Sequence, residues 1–314
     1  MEFFRHNTKF DFMRLRKITA VISIVLCIFS VGCLFVRGLN WGLDFTGGTQ
    51  VHLTFNKTVN LPNIRERLTQ ADIKKFSVQS YGSSKDVLIT IAPNQAKKTA
   101  VKDQQVVTQT VTKELARLLP GSQLQSANSI GAKVSGELAN KGFLAVIVSM
   151  ILIMIYVAFR FEYRMAISSV VALVHDPILI LGVFSFFQIQ FDLTALAAVL
   201  TVIGYSLNDT IVVFDRVREN FRKMRQANAA EVVNTSVNQT LSRTIMTSAL
   251  TLIVVLALLF LGGPDIHSFA LALVIGIVIG TYSSIYVAGA LAVALGLTRQ
   301  DLLPNAKKAL DDRP

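Results

Sequence analysis

The chain has 314 residues, of which 52% are hydrophobic and only 16% charged, with a net charge of +11 and a mean hydropathy of +0.51. Soluble domains carry about 25% charged residues, so long stretches here must hold no charge at all. That excludes a disordered chain, a coiled coil and a disulfide-stapled secreted fold. Both cysteines, Cys27 and Cys33, fall in one apolar run and leave no disulfide framework outside it. The composition is that of a membrane protein.

A helix needs about 20 consecutive apolar residues to cross a bilayer. Six runs qualify: 18–36, 142–159, 165–187, 193–214, a fifth that starts between 236 and 244 and ends near 261, and 268–295. Lys and Arg in the short connections orient such a bundle. They crowd the first 17 residues, the second-to-third link (Arg160, Arg164), the fourth-to-fifth link (Arg216, Arg218, Arg222, Lys223, Arg225 and Arg243) and the tail, and are absent from 188–192 and 262–267. Both termini are therefore expected on the cytoplasmic side. A basic balance placed this way reads as topogenic and lipid-facing, not as a nucleic-acid surface. No A-x-A-like site ends the first run, so it is expected to stay as an anchor. The expected division is a cytoplasmic segment over 1–17, a helix over 18–36, an outer domain over 37–141, five helices over 142–295 and a cytoplasmic tail over 296–314.

The outer stretch is long enough for an independent domain. Val51, Leu53 and Phe55 alternate with polar residues, as do Val87, Ile89 and Ile91, which marks strands. The order reads strand 50–55, helix 61–70, strand 76–81, strand 87–91, helix 96–119 and a strand near 123–130, with a hairpin signal at Gly82-Ser83-Ser84-Lys85. That order, β-α-β-β-α-β, is the ferredoxin-like split motif. The expected class is thus an α-helical membrane protein of six transmembrane helices with one α+β ferredoxin-like outer domain. Nothing in that domain looks catalytic: it has no cysteine, one histidine (His52, read as a strand residue and not a ligand) and no metal-ligand spacing. Gly42, Asp44, Gly47 and Gly48 form a compact motif where the first helix hands over to the first strand. Paired glycines open backbone angles closed to other residues, which reads as a tight structural turn. With no helix following them, they make a weak phosphate cradle.

Ionisable residues inside a membrane are functional-site candidates by default. Asp209 lies about 24 Å from the outer end of the fourth helix, and Arg243 about 27 Å from that of the fifth, at about 1.5 Å per residue. The helices are antiparallel, so the two charges reach similar depth and would favour each other as a pair. Burial and a nearby guanidinium push a carboxyl group's proton affinity in opposite directions, so small movements would switch the proton on and off, as a relay requires. A static ion pair, or an Arg243 that snorkels to the interface, accounts for the same residues. His175-Asp176, followed by Pro177, is read either as a secondary relay or as a paired structural kink. Asn208, Ser206 and Thr210 are expected to hydrogen-bond near Asp209, and Asp215-Arg216 to mark the cytoplasmic boundary. Gly276, Gly280, Ser284, Ala288 and Ala292 repeat every four residues, a face that lets a backbone approach closely in this chain or in a partner. No Walker loop, zinc motif or dinucleotide fingerprint is present, which disfavours an ATP-driven pump. No enzymatic activity, cofactor or metal is expected.

Three segments carry a resemblance: Gly42 to Gly48 after the first run, IGYSLNDTIVVFDRVREN over 203–220, and QTLSRT over 239–244. Together they closely resemble the SecF branch of the SecD/SecF family of bacterial protein-export membrane proteins, in the resistance-nodulation-division superfamily. The resemblance implies a partner, SecD, association with the SecYEG channel, YajC as a further associate and an indirect link to the ATPase SecA. It implies residence in the inner membrane with the large domain on the periplasmic side, and proton flow driving late steps of export of unfolded polypeptide. Protons would be the coupling ion, with no other cofactor. It maps the family's fourth-helix acid onto Asp209 and its fifth-helix arginine onto Arg243 as the proton relay, and it also matches His175-Asp176. A proton-coupled exporter of small molecules or lipids, and a passive channel scaffold, are the rival readings.

Overall fold

The computed structural model describes residues 10–71, 73, 76–81, 83–92 and 104–302. In chain order, α1 (Arg16–Arg37) is followed by β1 (Asn40–Trp41), the single turn α2 (Leu43–Thr46), β2 (Gly48–Phe55), α3 (Leu61–Gln70), β3 (Phe76–Tyr81), β4 (Ser83–Ile91), α4 (Gln104–Leu118) and β5 (Ser122–Ile130). Then come α5 (Ala132–Arg160), α6 (Tyr163–Phe187), β6 (Gln190–Phe191), α7 (Leu193–Lys223) and α8 (Ala229–Leu261). The last long helix is α9 (His267–Ser283), which passes through a π-helical segment (Ser284–Gly289) into α10 (Ala290–Ala294); the turn α11 (Arg299–Leu302) follows. Six of these helices are long and apolar enough to cross a membrane.

Burial sorts the six into two shells. α6, α7 and the α9–α10 helix are each half-buried, whereas α1, α5 and α8 present most of their apolar surface outward. Side-chain caps fix where α7 and α8 begin. Asp192 accepts a hydrogen bond from the Ala195 N–H at 2.7 Å to start α7, and Asn228 accepts one from Glu231 N–H at 2.9 Å to start α8. That cap explains a shifted boundary: α8 opens at Ala229, earlier than the 236–244 expected from hydropathy. Likewise α5 opens at Ala132, ahead of the expected 142. In both cases hydropathy marks only the part in hydrocarbon, while the helix continues through polar residues.

Strands β2 to β5 form one antiparallel sheet in the order β3-β4-β2-β5, with α3 and α4 packed on it. It has its own hydrophobic core, including Val51, Leu53, Leu68, Ile89 and Leu115. β4 begins at Ser83, four residues before the expected start, because Ser83 already pairs with Tyr81 and the ladder shifts register between Ser80 and Tyr81. Gly82 of the hairpin signal and residues 96–103 of the expected long helix lie outside the described residues. His52 sits on β2 with its Nε2 3.4 Å from Asp86 and its ring edge-on to Tyr81. Hydroxyl donors from Ser83 and Thr54, with His52 alongside, hold the Asp86 carboxyl below the usual carboxylate range.

The small-residue face of the last helix packs against this chain's own helices. A Cβ added at Gly276 would lie 2.1 Å from a Val202 methyl, and Gly280 faces Ser206. Ala288 and Ala292 are fully buried, although the π segment interrupts the four-residue spacing. A second close approach sets α1 on α6, where a Cβ at Gly182 would sit 2.2 Å from that of Ser30. Gly276→Ala is expected to lower stability by about 1–3 kcal/mol through overpacking. Val202→Ala in the same chain should recover most of the loss, as read by thermal unfolding of the detergent-solubilised protein.

Candidate functional site

α9 ends in Thr281, Tyr282 and Ser283, and Ser284 opens the π segment. At about 100° of rotation per residue, these four consecutive polar side chains fan out towards four neighbouring helices. Thr281 pairs with Ser248 of α8 at 2.8 Å, and Ser248 in turn accepts from the Tyr205 hydroxyl of α7 at 3.0 Å. Tyr282 meets Ser23 of α1 at 3.0 Å and donates to the Thr19 carbonyl at 2.9 Å. Ser283 donates to Asp176 of α6 at 2.8 Å, and Ser284 to Asp209 of α7 at 2.5 Å. The π turn changes the phase of the helix directly after this fan, and such insertions are frequent at functional sites.

Asp176 is fully buried. One carboxylate oxygen faces His175 Nδ1 at 2.9 Å; the other accepts from Ser206 at 2.5 Å and from Ser283 at 2.8 Å. His175 lies against the Tyr282 ring, 6.5 Å between centroids, and its buried Nε2 has no hydrogen-bond partner among the described residues. Pro177 follows inside α6.

Asp209 is half-buried, with one oxygen accepting from Thr244 at 2.5 Å and the other from Ser284. The expected contact with Arg243 is not formed: among the described residues Asp209 makes no ion pair within 4 Å, and Arg243 is exposed. Successive residues on a helix point about 100° apart, so α8 can turn either Thr244 or Arg243 onto Asp209, and here it turns Thr244. Asn208 is exposed for the same reason, being next to Asp209 on α7. Ser206, expected beside Asp209, serves Asp176 instead, and Thr210 bonds back to the Ser206 carbonyl at 3.1 Å. Asp215 is paired, with both of its oxygens 2.5–2.6 Å from Arg160 at the end of α5, and Arg216 pairs with Glu219 at 2.7 Å.

At the opposite end of the bundle, the Gly42–Gly48 motif ties the root of the sheet to the helices. β1 pairs in parallel with β6, Asn40 opposite Gln190 and Trp41 opposite Phe191. Asp44 accepts the Leu193 N–H at 3.0 Å. Gly42 lies so close to Asp192 that a Cβ there would be 3.0 Å from its side chain. Gly47, at φ +65°, rests on the start of α5, and Gly48, at φ +118°, would place a Cβ 2.2 Å from the Ile91 carbonyl oxygen. The rings of Trp41, Phe45, Phe143 and Phe191 pack around this junction. Among the described residues, no group of three or more His, Cys, Asp or Glu could hold a metal ion.

Residues 104–298 match the family described as protein export membrane protein SecD/SecF, C-terminal, and residues 34–59 match the SecD/SecF GG motif. This chain belongs to the SecD/SecF family. It is 47% identical over 297 residues to the protein translocase subunit SecF of Vibrio alginolyticus, covering 93% of this chain and 92% of that one. It is 44% identical to SecF of Pseudomonas aeruginosa, with 97% of each covered. The protein translocase subunit SecDF of Brucella abortus matches at 40% identity over 92% of this chain, which spans 38% of that longer protein. Among solved structures, SecDF from Thermus thermophilus, a translocon-associated membrane protein, superposes with a TM-score of 0.82 at 36% identity. That match covers 93% of this chain and 39% of the solved one.

Thr244, Ser283, Tyr282 and Asp192 are site residues that sequence reasoning passed over. A usable signal existed for the first two: a carboxyl in hydrocarbon needs donors, and Ser or Thr at matching depth on adjoining helices are the available ones. Asp192 is found only by seeing what surrounds it. Burial pushes its carboxyl up from the ordinary value of 3.8, opposed by the Ala195 and Thr194 hydrogen bonds and reinforced by Asp44. A raised folded-state pKa means that stability falls as pH climbs above 3.8, because the folded form resists ionisation. Asp192→Asn keeps the cap and removes that charge. It is expected to raise the melting temperature at pH 7, by an amount that shrinks steadily towards pH 4 in a pH series of thermal melts.

Proposed function

We propose that this chain is a proton-motive-force-driven auxiliary subunit of Sec-dependent protein export, acting with SecD on late translocation at the outer face. In this reading both termini lie in the cytoplasm, and a ferredoxin-like domain over 37–141 lies on the periplasmic side of the inner membrane. SecYEG is the channel served, YajC a further associate, and SecA acts indirectly by pushing unfolded polypeptide from inside. Asp209 carries the proton and Arg243 is its electrostatic partner, with His175 and Asp176 as a secondary station. No catalytic residue, metal or cofactor other than the proton takes part.

The observation that carries this reading is Asp209 held inside the bundle by two hydroxyls, Thr244 and Ser284, from two different helices. Protonation removes the negative charge that both donors and Arg243 favour. A rotation of α8 would then exchange Thr244 for Arg243 at the carboxyl group. An exposed Arg243 and Asn208 on membrane-spanning helices are costly against lipid, which favours a SecD surface covering them. The clamp at the Gly42–Gly48 motif supports transmission outward, since the sheet's root is bonded to the start of α7. One charge crossing 100 mV supplies about 2.3 kcal/mol, enough to bias a two-state movement but not to pull a whole chain in one step.

The test uses inverted membrane vesicles containing SecD and follows completion of a translocating preprotein after ATP is withdrawn. A proton gradient is expected to speed completion in the wild type and to have no effect in Asp209→Asn. Equal completion by both would overturn the relay and bring the scaffold or small-molecule exporter forward. Exchanging the charges at 209 and 243 separates the scaffold, which the exchange restores, from the relay, which it leaves broken.

A further inference from the structure

Two cavities meet at the start of α1, and their chemistries differ. One is a crevice of about 920 Å³ between α1, α6 and the π–α10 part of the last helix. Its walls are apolar, with Ile24, Val174 and Leu291 among them, and it runs inward as far as His175. The other, of about 550 Å³, lies between residues 11–17 and the start of α8 and is polar, lined by Arg14, Asp11 and Glu231. Arg16 and Lys17 line both. An apolar slot and a polar pocket sharing two cations at their junction match an amphiphile with an acidic group where its two halves join. Cavities of about 300–1,000 Å³ are of ligand-binding size.

The charges select the head. Both acids already have work: Asp11 accepts the Arg14 N–H at 3.1 Å, and Glu231 lies in the first turn of α8, where the helix dipole favours a negative charge. Among the described residues Arg14, Arg16 and Lys17 form no ion pair, so the junction keeps unanswered positive charge. Basic pockets between membrane helices bind anionic lipid head groups. The wall on the α8 side is fixed, because Asn234 and Asn238 pin residues 10–13 through backbone hydrogen bonds of 2.8–3.3 Å. These bonds fix the segment that lines the polar pocket onto α8.

We infer that this junction is a binding site for one anionic phospholipid of the phosphatidylglycerol type. Its phosphate lies between Arg16 and Lys17, its hydroxylated head group in the polar pocket within reach of Asp11 and Glu231, and an acyl chain along the crevice towards His175. A lipid seated there fills the gap between the outer helix α1 and the inner helices α6 and α10, and so fixes α1 at its charged end.

The full chain, purified with SecD and delipidated in detergent, is titrated with dioleoyl phosphatidylglycerol, phosphatidylethanolamine or phosphatidylcholine and read by native mass spectrometry. The wild type is expected to retain one phosphatidylglycerol in preference to the other two. Arg16→Gln with Lys17→Gln should erase that preference, at about fivefold in affinity per cation removed. Val174→Trp, which fills the crevice, should remove the retained lipid while leaving the charges in place. A phosphatidylglycerol carrying an acyl-chain diazirine should label peptides covering 23–28 and 170–178. Equal retention of all three lipids, preference for phosphatidylethanolamine, or retention unchanged in both variants would each overturn the assignment. Should Val174→Trp fail to fold, the charge variant and the labelling map still decide it.

Discussion

A carboxyl group in hydrocarbon has no water to satisfy it, and an unsatisfied polar group there costs several kcal/mol. The arrangement of the six helices follows from meeting that demand twice, at Asp176 and at Asp209. Neither α6 nor α7 can supply all the donors from its own length, so each acid draws on hydroxyls of other helices: Ser206 and Ser283 for one, Thr244 and Ser284 for the other. This requirement places α6, α7 and α9 in the inner shell and brings α8 alongside. The close approaches of the last helix to α7 at Gly276 and Gly280 allow it, since a hydroxyl bond of about 2.5–3 Å between helices demands backbones nearer than larger side chains would permit.

The two acids are linked by covalent adjacency. Ser283 and Ser284 are neighbours, so the donors to Asp176 and Asp209 ride on consecutive residues of one helix. Any rotation of that helix which relaxes one hydrogen bond must strain the other. Packed interfaces of this kind shift between discrete arrangements instead of deforming smoothly. The π segment that starts at Ser284 supplies the irregularity at which such a shift can be taken up.

Hydropathy made the six helices legible, because it depends on the bilayer and not on neighbours. The alternation of Val51, Leu53 and Phe55 did the same for the sheet. The helix starts at Ala132 and Ala229 were hidden, because a helix beyond the membrane is set by caps and tertiary contacts that hydropathy does not register. Asp209 and Asp176 stood out as charges in apolar runs. Their partners did not: which of Thr244 or Arg243 faces inward depends on the rotation of α8, and the distance along an axis fixes depth but not azimuth. The same ambiguity sent Ser206 to Asp176 and left Asn208 outside. Asp192 sat in a short connection and drew no notice, since its burial arises only when Gly42 and Asp44 arrive from a segment far away in the chain.

α5 runs without interruption from the edge of the sheet at Ala132 to Arg160 at the opposite end of the bundle, where it is fastened to Asp215. The sheet is therefore joined to the bundle by a shaft and not by a leash. A flexible linker would pass on only tension, whereas a continuous helix passes on twist as well as push and fixes the heading of what it carries. Its length is then quantised by function: one added residue would swing the sheet about 100° around the shaft. A gain or loss of a whole turn would nearly restore its heading and change only its height above the membrane. The sheet domain is in this sense geared to the helices, with α5 setting the phase and the Gly42–Gly48 clamp serving as the second bearing.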